Sequence, residues 1–120
     1  MRLHHVQLAA PPGCEEQARA FYGSMLGLEE ILKPEALGMR GGVWFAVNAD
    51  QQLHIGVEEQ FRPARKAHPA LAVGAQALDA LADRLRGAGV EVSWDDAVPS
   101  VRRFYVADPW GNRLEILAAE

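Results

Sequence analysis

A single cysteine, Cys14, occurs in the 120 residues, so no disulfide can close within the chain and no zinc–thiolate site can be built from it alone. Cys14 reads as a small, half-buried side chain near the start of a helix; a nucleophilic thiol is the lesser alternative there, because a helix N-terminus lowers thiol pKa. No apolar run approaches the roughly 20 residues that a bilayer span needs. The opening Met-Arg-Leu-His-His has no signal-peptide core. The expected setting is the cytoplasm, with no membrane partner. Positive charge is scarce as well: 12 Lys and Arg stand against 16 Asp and Glu, a formal net charge of −4. Nucleic-acid binding needs a concentrated positive surface, so no such partner is expected. The one basic cluster, Arg62, Arg65 and Lys66, reads as a solvated loop.

What is present suffices for a folded domain. Hydrophobic residues make up 49% of the chain, enough for a core in one domain spanning 1–120. Val6 and Leu8 alternate with Gln7 from His5 onward, the mark of a strand with one buried face. From Cys14 to Leu26, the residues Ala18, Phe21, Met25 and Leu26 form one helical stripe, with Glu15 and Glu16 in the first turn and Gly27 as terminator. Strands are predicted near Leu28–Leu32, Val43–Val47 and Gln52–Glu58, the first two separated by a loop rich in Pro and Gly. The order then repeats. His68–Val73 is a strand, Gln76–Ala88 a helix ended by Gly89, and Val90–Trp94, Arg102–Ala107 and Asn112–Leu117 are strands. Asp108-Pro-Trp-Gly111 is a tight turn between the last two.

The two halves superpose as a repeat of about 60 residues, each reading β-α-β-β-β. Module 1 covers about 1–58, a polar linker about 59–67, and module 2 about 68–120. The fold class is therefore α+β, two tandem βαβββ modules. His5 and His54 stand 49 positions apart and His68 and Glu115 stand 47, so each module opens on a His and carries a second potential ligand in its last strand. Strand alternation places all four on one kind of face. Leu53, Ile55 and Val57 point to the helix, which turns His54 away from it. Leu114 and Ile116 do the same for Glu115, Val6 and Leu8 for His5, and Leu71 and Val73 for His68. His4 falls on the helix side, a structural position.

Three imidazoles and a carboxylate suit a borderline divalent ion, Zn²⁺, Ni²⁺, Co²⁺, Mn²⁺ or Fe²⁺. With one carboxylate the site keeps a formal charge of +1, which strengthens its pull on an enolate or a carboxylate. Four ligands in a tetrahedron would close the site; chemistry needs an octahedral ion with open positions, or release of one ligand. Should His54 stay away, two His and one Glu remain, the set of a non-haem Fe(II) oxygenase.

These residues lie in stretches that resemble a known family. His5-Val-Gln-Leu, Phe21-Tyr…Leu26-Gly-Leu, His68-Pro-Ala-Leu-Ala-Val and Asp108-Pro-Trp-Gly-Asn-Arg-Leu-Glu115 resemble the motifs of the vicinal oxygen chelate superfamily over nearly the whole chain. That group includes glyoxalase I, bleomycin-resistance proteins, fosfomycin-resistance enzymes, methylmalonyl-CoA epimerase and extradiol dioxygenases. The resemblance implies paired βαβββ modules forming a half-open curved sheet around a divalent metal, usually in a homodimer. His5, His68 and Glu115 match its ligand positions. His54 departs from it, since glyoxalase I typically has Glu there and the epimerase Gln. That departure leaves the proton-shuttling carboxylate of glyoxalase I without a counterpart. Bleomycin-binding relatives lack the metal ligands, and most extradiol dioxygenases are longer than this chain.

Further candidates flank the quartet. Arg102 and Arg103 are adjacent on one strand, so one faces the site, and Arg103 is assigned to a substrate carboxylate or phosphonate. Tyr105 shares its parity and can donate a proton or hydrogen bond, while Trp44 holds the matching place in the first module. The expected activity is chelation of a small oxygen-rich substrate, an anionic one among the options, with an enolate or oxyanion stabilised and Glu115 as ligand and proton acceptor. Glyoxalase-, isomerase- or lyase-like chemistry, an Fe(II) dioxygenase, and a binding protein that sequesters a small molecule such as an antibiotic stay open as alternatives.

Overall fold

The computed structural model describes residues 1–119, so the last position of the expected second module lies outside the described residues. It divides into two compact units, Met1–Pro63 and Ala64–Glu120. In the first unit β1 (His5–Ala10) leads to a helix, α1, that opens as α-helix over Glu15–Ala18 and continues with π-helical winding over Arg19–Met25. Then come β2 (Glu29–Ile31), a 3-10 segment (Glu35–Arg40), β3 (Val43–Ala46) and β4 (Gln52–Val57). The sheet order is β1-β4-β3-β2, with β1 parallel to β4 and the other pairs antiparallel. The second unit repeats it with β5 (Ala70–Val73), α2 (Ala75–Gly87), β6 (Ser93–Asp95), β7 (Arg103–Ala107) and β8 (Arg113–Ala118), ordered β5-β8-β7-β6. The expected α+β class with duplicated βαβββ units is what the chain adopts.

Each sheet buries the apolar residues of alternate positions beneath its own helix. In the first unit Phe21, Tyr22, Val43, Phe45, Leu53 and Ile55 are all at most 2% exposed. In the second, α2 turns Leu78, Leu81, Ala82 and Leu85 inward at i, i+3, i+4 and i+7, against Phe104, Val106, Leu114 and Ile116. Helix α2 stops where Gly89 takes a φ of 86° and Val90 N donates to the Leu85 carbonyl, a 6→1 closure that satisfies a terminal acceptor.

Three local expectations shift. The stripe on α1 runs through Phe21 and Tyr22 instead of Phe21 and Met25. The wider winding is responsible: Leu26 N reaches back five residues to the Phe21 carbonyl, so consecutive aromatics share the buried face. Strand β5 begins at Ala70, two residues after His68, because Pro69 brings no N–H to a ladder. The strand expected at Val90–Trp94 is Ser93–Asp95, paired to β7 by Trp94 opposite Phe104.

The Asp108 turn forms as expected and is tied internally. Asp108 is buried; its Oδ1 accepts from the backbone N of Trp110 at 3.0 Å and of Asn112 at 2.8 Å, and Oδ2 accepts from Asn112 Nδ2 at 2.8 Å. These bonds hold the β7–β8 hairpin, and with it the register that sets Glu115 opposite Tyr105.

Candidate functional site

In the first unit the central side chain is His54 on β4. Its ring lies flat on Trp44, its register partner on β3, with centroids 3.7 Å apart and planes 3° from parallel. His5 covers another face of the stack at 4.3 Å and 17°. Gln52, two residues earlier on the same side of β4, sits with Oε1 2.8 Å from His54 Nε2. An amide oxygen only accepts, so Nε2 carries the hydrogen and the neutral ring keeps its lone pair on Nδ1. His54 is only 3% exposed, and burial, reinforced by the neighbouring His5 and His4, pushes its pKa down to about 4. His4 itself is exposed, Nδ1 to Nδ1 with His5 at 3.0 Å, and not in the core. It precedes the first ladder residue, so the alternation that orients His5 does not reach it.

The depressed pKa has a consequence for metal-free protein. Above pH ~6.5 the imidazole is neutral both folded and unfolded. As pH falls below that, the unfolded chain gains a proton that the folded chain refuses, so stability declines until the folded ring also titrates near 4. Urea unfolding of chelator-treated protein should lose about 3 kcal/mol on this account between pH 7 and 4. His54→Leu, which removes the group, should flatten that slope; an equally steep slope in the variant would refute the assignment.

In the second unit the central side chain is Glu115, buried on β8 opposite Tyr105. Tyr105 donates its hydroxyl to Oε1 at 3.1 Å, and Arg103 donates Nη1 to Oε2 at 3.4 Å. His68 Nε2 stands 3.2 Å from Oε1. Burial alone would raise the carboxyl pKa, but the bonds from His68 and Tyr105 and the charge of Arg103 outweigh it and hold Glu115 below the usual range. Tyr105 is itself fixed by the Arg113 guanidinium, 4.1 Å from its ring centroid. Arg103 also pairs with Asp95 at 3.5 Å, while its buried Nε has no hydrogen-bond partner. Arg102, its neighbour, faces the helix and binds Asp79 on α2 at 2.8 Å. Of the adjacent pair, then, Arg103 is the one beside Glu115.

The donor atoms bear directly on metal binding. His68 Nδ1 lies 2.7 Å from the Lys66 carbonyl, an acceptor, so Nδ1 is the protonated nitrogen. A neutral His68 therefore turns the Nε2 lone pair toward an oxygen of Glu115, acceptor facing acceptor at 3.2 Å. A proton or a cation resolves that conflict. The spacing suits a cation, because two adjacent ligands of an octahedral ion at ~2.1 Å stand about 3 Å apart. His5 and His54 fit less simply. An ion bound to an imidazole lies in the plane of the ring, and two nearly parallel rings 4.3 Å apart cannot both aim at one ion. His5 is exposed and has to turn out of the stack before both could serve. Among the described residues neither unit by itself gathers three His, Cys, Asp or Glu side chains that could hold an ion.

Cys14 is 1% exposed, and burial, then the charge of Glu15, pushes its thiol pKa up, the opposite of an activated nucleophile. Its place before α1 does not compensate for loss of solvent. Strand alternation sets Gln52 on the same face as His54, two residues away, but does not reveal that its amide oxygen orients the ring.

A sequence profile of the Glyoxalase/Bleomycin resistance protein/Dioxygenase superfamily matches residues 2–116. Among solved structures, the chain is similar to a putative glyoxalase family protein from Bacillus anthracis, with 52% identity over 100% of this chain and 96% of that one, and a TM-score of 0.92. A glyoxalase/dioxygenase from Nostoc punctiforme shares the fold at 21% identity, covering 99% and 91% of the two chains, with a TM-score of 0.82. A mutant of the fosfomycin resistance protein FosX from Listeria monocytogenes, complexed with Mn(II) and 1S,2S-dihydroxypropylphosphonic acid, shares it at 20% identity, 99% and 92% coverage and a TM-score of 0.81. No curated protein matches the chain.

Proposed function

The chain belongs to the glyoxalase/bleomycin resistance protein/dioxygenase superfamily, and on that premise we propose that it is a metal-dependent enzyme acting on a small oxygen-rich substrate. His5, His54, His68 and Glu115 are the donor set of this reading, which takes the protein to be a homodimer. The observation that carries it is the approach of His68 Nε2 to Glu115 Oε1 at 3.2 Å, a contact that only a proton or a cation between them makes favourable, with a hydrogen-bonded backing behind each. A manganese-bound relative of the same fold agrees with a divalent ion in this role. Bound there, such an ion supplies Lewis acidity to a chelated substrate and favours its enolate or oxyanion.

The chain's own groups have distinct tasks in this scheme. Glu115 is kept ionised by His68, Tyr105 and Arg103, so it can ligate, and its Oε2, held only by the longer Arg103 contact, is the oxygen able to accept a proton. Tyr105, whose hydroxyl already points at Glu115, fixes that carboxylate and can return a proton. Arg103 divides its charge between Glu115 and Asp95 and so orients the carboxylate as much as any substrate anion. Trp44 provides an apolar wall beside His54.

A second reading is favoured by the stack in the first unit. If His54 stays between Trp44 and His5 with Nε2 bonded to Gln52, then His5, His68 and Glu115 form the ligand set, the two-His-one-carboxylate arrangement of non-haem iron oxygenases. Metal content after anaerobic purification, wild type beside His54→Ala, tests both. Stoichiometric metal lost in the variant supports the quartet; iron retained in both supports the triad. Absence of metal after loading with Zn, Ni, Co, Mn and Fe would sink either enzyme reading and leave the small-molecule binding protein.

A further inference from the structure

Beside Trp44, on its first-unit strand, a cavity of about 230 Å³ opens between the sheet and the 3-10 segment, lined by Gln7, Lys33, Leu37, Arg40, Trp44 and Val57 among others. We propose that it binds a small acid, its carboxylate or phosphonate against Lys33 and Arg40 and its short carbon stem against Trp44, Leu37 and Val57. A cavity of this size admits a small ligand. The ligand is therefore a compact one.

Charge carries the argument. Lys33 donates one of its three N–H bonds to the Gly41 carbonyl at 2.6 Å, which leaves two for a ligand. Arg40 has no hydrogen bond or ion pair among the described residues. Glu15 is near enough to feel the charge of Lys33, and its Oε2 already accepts from Gly42 N at 2.6 Å. Two cations thus line the cavity, and no carboxylate is among its lining residues. Arg103, the cation assigned to a substrate anion from sequence, is already paired with two carboxylates. Leu37, Trp44, Ile55 and Val57 supply the apolar lining, and Gln7 lays its polar amide over Gly56, where the absence of a side chain makes room for it. Trp44 is shared between this cavity and the His54 stack, so the inference rests on the proposed site for its meaning: the acid group is the end of the substrate away from the ligands.

Binding can be read in metal-free protein, which separates this inference from the metal assignment. NMR titration follows the indole N–H of Trp44, identified by Trp44→Phe, and the amides of Gly41 and Gly42. Butanoate and propylphosphonate are the charged probes, and butanamide is the uncharged match in shape. Both acids should bind at least about tenfold more tightly than the amide, the tighter of the two naming the acid class. Arg40→Gln, and separately Lys33→Met, should weaken the acids about tenfold and leave butanamide unchanged. Arg62→Gln, in the exposed linker, should change nothing. Equal binding of acid and amide, no binding of either acid, or acid binding indifferent to Arg40→Gln would overturn the proposal. A protein that takes no metal yet discriminates acid from amide would fail the enzyme reading and keep this one.

Discussion

Glu115→Gln is expected to lower divalent-metal affinity by at least ~100-fold while leaving the metal-free protein about as stable as the wild type. The two halves of this expectation come from the same contacts. In the metal-free state a neutral His68 ring presents a lone pair to Glu115 Oε1, because its Nδ1 hydrogen is held by the Lys66 carbonyl. A glutamine amide turned with its NH₂ toward His68 converts that clash into a hydrogen bond. Its oxygen then accepts from Arg103, and the Tyr105 hydroxyl can rotate to accept from the amide. What disappears is the only carboxylate of the donor set, and with it most of the attraction for a dication. Glu115→Leu is the contrasting variant. It leaves Arg103 with Asp95 alone and Tyr105 without its acceptor, and should destabilise the metal-free protein relative to Glu115→Gln. Isothermal titration with Mn²⁺ or Zn²⁺ and urea unfolding of the chelated protein measure the two quantities. Undiminished metal affinity in Glu115→Gln would remove this carboxylate from the ligand set.

Gly42→Ala is the second change expected to be severe, a loss of about 3–5 kcal/mol out of the ~5–15 kcal/mol that a domain has. Gly42 has a φ of 88°, which an alanine adopts only at a cost of about 1–2 kcal/mol. A Cβ there would also overlap the Ile55 carbonyl oxygen, a backbone atom that cannot swing aside. Relief requires β3 to move off β4, which disturbs the pairing of Val43 with Ile55 and Trp44 with His54. The Gly42 N–H bond to Glu15 would be strained with it. Gly13→Ala separates the two effects, because Gly13 has a φ of 80° but nothing within 4 Å of a Cβ. That variant should lose only the conformational ~1–2 kcal/mol. Similar midpoints for the two variants in chemical denaturation would show that the overlap is absorbed.

Much of this was legible beforehand, and unevenly. Alternation on β4 and β8 put His54 and Glu115 on the face away from the helices, and burial of Leu53, Ile55, Leu114 and Ile116 agrees. Paired glycines at positions 41 and 42 ahead of a β-prone run read only as a loop, although both take positive φ. The π winding of α1 was out of reach, since a pattern of apolar residues does not report which carbonyl an N–H selects. The faces that His54 and Glu115 occupy were legible, and the bonds each makes were not.

The quartet's residue types, the duplicated βαβββ order and the face of each strand residue follow from the chain itself, because side-chain direction in a strand depends on local backbone geometry with a period of two. Which groups touch was decided by the tertiary structure. His5 lies on His54, Gln52 sets that ring's tautomer, the Lys66 carbonyl sets that of His68, and Arg103 rather than Arg102 meets Glu115. Such neighbours depend on the register between strands distant in sequence, which hairpin lengths and the parallel β1–β4 and β5–β8 pairings establish only when the sheet closes.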